Sequence, residues 1–128
     1  MSQFNPVVWF EIYVQDMARA RAFYEAVLGY TLEALPMPDT MQEQMEMLAF
    51  PSQMEAGGAA GALVHMPGAP SGPGGVLVYF GCEDCAVQAS RIEAAGGRVH
   101  QPKMSIGQYG NIALGFDTEG NMFGLHSM

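Results

Sequence analysis

"VVWFEIYVQDMARARAFYEAVLG", residues 7–29, holds two periodicities in succession. Its first eight residues are β-branched and aromatic, with one acid among them, a composition that favours a strand. Alternation puts Val8, Phe10, Ile12 and Val14 on one wholly apolar face, and Trp9, Glu11 and Tyr13 on the other, which carries a carboxylate. Asp16 is then an N-cap, since a short side-chain oxygen satisfies the free N–H groups of a first helical turn. Ala20, Phe23, Tyr24, Val27 and Leu28 fall at i, i+3, i+4, i+7 and i+8, and Gly29 supplies the stop. The stretch is predicted to be a strand followed by an amphipathic helix.

The same order returns further along. "GVLVYFG" (75–81) is a second strand, Asp84 precedes a helix with inner positions Cys85, Ala89 and Ile92, and Gly96 and Gly97 end it. Glu11 to Tyr79, Asp16 to Asp84 and Gly29 to Gly97 are each 68 positions apart, so strand, cap and stop repeat in register. Three further strands fit after each helix, at about 30–35, 45–50 and 61–66, then about 98–103, 111–117 and 121–126. The expected fold class is α+β: two paired βαβββ modules forming one curved, cup-like mixed sheet within a single domain spanning 1–128. The first module covers about 5–66 and the second about 76–128. The Pro- and Gly-rich linker 67–75 joins them, and 51–61 reads as a mobile loop.

Composition narrows the function classes. The 128 residues make room for one core. A net charge of −8, from 13 acids and 5 bases, argues against nucleic acid and acidic membranes, which need clustered Lys and Arg. There is no apolar run long enough for a membrane span, and MSQFNP lacks the features of an export signal, so a cytoplasmic protein is expected. Cys82 and Cys85 have no second pair to complete a thiolate site, and their acidic neighbours disfavour an activated thiol. Met37, Met41, Met45, Met47 and Met54 read as core or pocket-edge residues. No serine sits in a nucleophile elbow, and neither glycine cluster continues as a phosphate loop.

If each sheet buries one face under its helix, the other is left for the cup. Alternation then sends Trp9, Glu11 and Tyr13 there from one module and Leu77, Tyr79 and Gly81 from the other. In the last strands, Leu63 and His65 are expected on that face together with Gly124 and His126, which makes His65 and His126 equivalent, 61 positions apart. Two imidazoles and a carboxylate suit a divalent transition metal, so Glu11, His65 and His126 are candidate ligands, with Glu11 and Tyr79 as candidate catalytic groups. The bland alternative is that these groups bond one another and water on a wet wall. Trp9, Tyr13, Tyr109 and Asn111 are candidate ligand-binding residues, the last two at the rim.

"WFEIYVQDMARARAFYEAVLGY" (9–30), paired with "GFDTEGNMFGLHS" (115–127), resembles the vicinal oxygen chelate (VOC) superfamily of glyoxalases, bleomycin-resistance proteins and dioxygenases. The resemblance spans essentially the whole chain and implies paired βαβββ modules, often with two chains completing the cup. In metal-dependent members it implies four His or Glu ligands from the first and last strands. Carried onto this sequence, those positions are Trp9, Leu63, Leu77 and Gly124, none of which can bind a metal. The resemblance therefore does not extend to standard glyoxalase I chemistry. Two expectations stay open. One is a shifted site holding a divalent ion (Zn, Ni, Mn or Fe) in a lyase, isomerase or dioxygenase. The other is a metal-free cup that binds a small molecule. A homodimer is expected in either case, because a chain this small leaves a sheet face uncovered.

Overall fold

The computed structural model describes residues 7, 9–36, 45–53, 56–74 and 76–128. Module 1 runs β1 (Trp9–Tyr13), α1 (Met17–Leu28), β2 (Glu33–Ala34), β3 (Glu46–Ala49) and β4 (Ala60–His65). Module 2 repeats the order as β5 (Val78–Gly81), α2 (Cys85–Ala89), β6 (Arg98–Ser105), β7 (Asn111–Phe116) and β8 (Met122–Ser127). The sheets have matching orders, β1-β4-β3-β2 and β5-β8-β7-β6, with β1 parallel to β4 and β5 parallel to β8. Both βαβββ units are thus present, with both predicted N-caps and the predicted end of α1. Asp16 accepts from Arg19 N–H, Asp84 accepts from Ala86 N–H, and Gly29 closes α1 in the left-handed conformation at φ 78°.

α2 is much shorter than the run expected to end at Gly96. The Ser90 hydroxyl donates to Val87 O at 2.7 Å, and the Arg91 N–H, which would bond that carbonyl in an α-helix, goes to Gln88 O instead. Such a side-chain bond to the preceding turn competes with the helix ladder. The chain continues as turns to Gly97, with Ile92 still fully buried. Gly97 has no room for a side chain, because a Cβ there would stand 2.3 Å from Phe116 O and 2.6 Å from the Phe23 ring.

One core joins the two modules. Ile12, Val14 and Leu63 from the first sheet meet Phe80, Phe123 and Leu125 from the second, with Phe23 and Tyr24 of α1 between them. Tyr24 packs against Phe50, Phe80 and Phe123 with ring centroids 5.8–5.9 Å apart, and Phe10 reaches Phe80 at 6.0 Å. The apolar faces of both sheets therefore point into shared interior, and the opposite faces turn away from it.

Polar ties reinforce the seam. Asp117, buried after β7, accepts from Tyr24 OH at 2.6 Å, from the N–H groups of Glu119 and Asn121, and from the Asn121 side-chain amide. Asn121 also donates to Tyr13 O and accepts from Gly72 N–H, so one side chain binds β1, the linker and the turn before β8. The linker is held further by Ser71, whose hydroxyl donates to Tyr13 O at 2.6 Å. Among the described residues no helix is long and apolar enough to cross a membrane. Val8, Met37, Met41, Met54 and Gly75 lie outside the described residues, while Met47 is buried and Met45 packs against it.

Candidate functional site

Register decides which side chains share the two open faces. Glu11 stands beside Ala62 and Tyr13 beside Val64, while in module 2 Tyr79 stands beside Gly124 and Gly81 beside His126. The face of the first sheet turned away from the shared core carries Trp9, Glu11 and Tyr13 along its β1 edge and, further in, Ala62, Val64 and Met47, which are buried in a small cluster of their own. That of the second presents Tyr79, Gly124, His126, Ile112 and Leu114. Trp9 is 41% exposed and Tyr79 46%, so both rings are accessible.

His65 does not join this surface. Its neighbour two positions back, Leu63, pairs with Ile12 and is fully buried in the core, so Leu63 and His65 both face α1. His65 lines a groove of about 640 Å³ beside Arg21 and Glu46 on that side. The repeat equivalent of His126 is Val64, 62 positions earlier, since Tyr13 pairs with Val64 as Gly81 pairs with His126. The expected spacing of 61 was wrong by one residue, which in a strand reverses the facing of the side chain.

Glu11 and His126 do lie on open faces, each with bonds close to home. Glu11 Oε2 accepts from the Trp9 indole N–H at 3.1 Å and Oε1 from the Tyr13 hydroxyl at 2.8 Å, giving a three-residue ladder along β1. The hydrogen bond to Glu11, with some desolvation, raises the Tyr13 phenol above its ordinary range, so Tyr13 is a neutral donor. His126 Nε2 lies 2.7 Å from Tyr109 O; because a carbonyl can only accept, Nε2 carries the proton. Tyr109 sits in a single 3-10 turn, Gly107–Tyr109, and is 66% exposed. Asn111 pairs with Ser127 and so takes the face opposite to His126; its amide lies 3.4 Å from Met128 O.

Neither arrangement proposed for a metal is assembled. Among the described residues no group of three or more His, Cys, Asp or Glu is placed to hold an ion, so Glu11, His65 and His126 do not form a ligand set. At the positions implied by the resemblance, the register replaces Leu63 with Ala62, leaving Trp9, Ala62, Leu77 and Gly124, which offer no ligand atom. The space at Gly124 is also taken. A Cβ there would stand 2.3 Å from the Tyr79 ring, so the tyrosine occupies the volume where a ligand side chain would begin. Tyr79, the candidate proton donor, is placed as a ring lying across its cross-strand glycine. These residues do not fit a resident metal.

Sequence reasoning missed several polar residues around the site. Arg98 pairs with Phe116, and its guanidinium lies 4.5 Å from that ring's centroid. Glu33 is carried to the Glu11 side through Ala49 and Ala62. Asp117 and Asn121 fall at the ends of the predicted strands 111–117 and 121–126 with Glu119 between them, and two acids and an amide so close to a strand end are a signal of capping that periodicity alone does not register.

Comparison with known proteins agrees with this geometry. The family described as "Bleomycin resistance protein-like N-terminal" matches residues 7–48. "Putative glyoxylase CFP32", from both Mycobacterium bovis and Mycobacterium tuberculosis, is 27% identical over 123 residues, which is 96% of this chain and 44% of that protein. The chain thus spans less than half the length of these curated relatives. Glyoxalase I from Zea mays superposes with a TM-score of 0.68 at 22% identity, over 95% of this chain and 44% of its own. TnmS3, an antibiotic binding protein from Streptomyces sp. CB03234, superposes with a TM-score of 0.65 at 24% identity, over 99% of this chain and 98% of its own. Likeness at such identities speaks for the fold alone, and chemistry has to come from the site.

Proposed function

We propose that the chain, which matches the bleomycin-resistance-like family over residues 7–48 and shares the glyoxalase/bleomycin-resistance fold, is a vicinal oxygen chelate protein that works as a metal-free small-molecule binding protein of the bleomycin-resistance type. The observation that carries this reading is the donor set: Trp9, Ala62, Leu77 and Gly124 stand where metal-dependent members need ligands. In their place the faces turned away from the core present the Trp9, Tyr13 and Tyr79 rings, with Glu11 between the first two. Trp9 and Tyr13 flank Glu11, which suits a flat apolar ligand with positive charge. The net charge of −8 attracts such ligands over longer range. TnmS3, which shares the fold over nearly its full length, is described as antibiotic binding, and this supports the same reading.

Trp9 is the sole tryptophan, so its emission reports occupancy. Titration with aromatic, amine-bearing antibiotics, bleomycin among them, is expected to give a saturable change in Trp9 fluorescence. The ligand should be recovered chemically intact, and the affinity should not change after chelator treatment or added Zn, Ni, Mn or Fe. Conversion of the ligand, or binding that appears only with one of these ions, would replace this reading with the enzymatic one.

A second copy of the chain completes the ligand site in this proposal. Glu11 and Glu33 on one open face complement Arg98 and His126 on the other. Sedimentation equilibrium is expected to return twice the 13.8 kDa chain mass. A monomer at all concentrations would restrict the ligand to one chain.

A further inference from the structure

A cavity of about 190 Å³ opens between the edge of β1 and the linker, on the seam of the two modules. Glu11 and Tyr13 form one wall, Val78 and Met122 another, and Gly74 and Val76 the rim. Among the described lining residues Glu11 is the only acid and there is no base. Its carboxylate is held in place by Trp9 and Tyr13, one donor per oxygen. Each oxygen keeps a further lone-pair direction, so the carboxylate can accept again without losing either donor. Asn121, the neighbouring polar side chain, is already committed through both amide atoms to Gly72, Tyr13 and Asp117.

These features select a ligand by chemistry. An anion would face an uncompensated carboxylate, and a neutral donor such as an alcohol would give it a hydrogen bond with no opposite charge. A primary ammonium gives it a charge-assisted hydrogen bond beside an aromatic ring. The volume equals that of about six liquid waters, enough for a one-ring amine. We infer that this cavity receives the ammonium head of a small amine, with Glu11 as counter-ion and the apolar body against Val78 and Met122. The inference rests on the proposal that the chain binds small molecules beside Trp9, and it adds where the charged end goes.

Benzylamine and benzyl alcohol, nearly equal in shape and different in charge at pH 7, are suitable probes. Both would be titrated into the full chain by calorimetry and by Trp9 fluorescence. Benzylamine is expected to bind about tenfold more tightly than the alcohol, and the preference should shrink to about twofold or less in Glu11→Gln, which keeps an acceptor for Trp9 or Tyr13. Val76→Lys, at a rim position 79% exposed and so safe for folding, should weaken benzylamine severalfold more than it weakens the alcohol. Equal affinity for the two probes, or an undiminished preference in Glu11→Gln, would overturn the assignment. If larger aromatic antibiotics still perturb Trp9 in that case, only the cavity assignment fails. If no ligand perturbs Trp9, the binding proposal fails with it.

Discussion

Asp117→Ala is expected to remove about 3 kcal/mol of stability, a large share of what a domain of this size has. Asp117 is only 5% exposed and receives four hydrogen bonds, one of them from Tyr24, which is fully buried in the middle of the shared core. Removing the carboxylate strands the Tyr24 hydroxyl where water cannot reach it easily, and an orphaned buried donor is costly. It also frees Asn121, whose amide bridges β1, the linker and the turn before β8. The loss should therefore spread along the seam between modules. Urea unfolding measures the total, and hydrogen exchange at Gly72 and Asn121 measures the spread. The double change Asp117→Ala with Tyr24→Phe, which removes both partners, should recover part of the loss. A cost below about 1 kcal/mol, with no recovery, would show that Asp117 is not the tie described.

Glu119→Gln should show its effect through pH. Burial alone would raise the Glu119 carboxyl, but its hydrogen bonds outweigh that: with Arg19, with the N–H groups of Asp16 and Gln15, and with Thr118, they hold it at about 2 against an ordinary value of 4.5. A carboxylate with a depressed pKa in the folded state adds stability that is present in full above its ordinary value and is lost as pH falls towards the folded one. The window here runs from about 4.5 down to about 2. With the Arg19 side of the pair half exposed, we expect Glu119→Gln to cost about 2 kcal/mol at pH 7 and almost nothing at pH 2. Urea unfolding at pH 7, 4 and 2 tests this, and a cost independent of pH would mean that Glu119 contributes by packing and not by charge. Glu119 also caps the entry to α1, because it receives the N–H groups of Gln15 and Asp16, so early loss of α1 helicity in acid is the accompanying sign.

Much of the fold could be read from the chain because its punctuation is local. Asp16, Gly29 and Asp84 do at their positions what their chemistry suggests, and the 68-residue repeat extends to the order of strands in each sheet. The facing of β4 could not be read in the same way. "AGALVH" is apolar at five of six positions and buried on both sides, so no alternation of polar and apolar residues sets its parity, and only pairing with β1 does. That ambiguity put His65 on the wrong face, away from Glu11 and His126. Length was also hidden in α2, where a single hydroxyl at Ser90 redirects the backbone. Trp9, Glu11 and Tyr13 were grouped correctly because β1 alternates cleanly, yet their hydrogen-bonded ladder depends on rotamers that no periodicity reveals.

The tyrosine lying across Gly124 ties two positions on neighbouring strands together. Any side chain introduced at 124 would meet that ring, and shrinking Tyr79 alone would only open a void, so a new residue here has to be made as a paired change in which the two effects do not add.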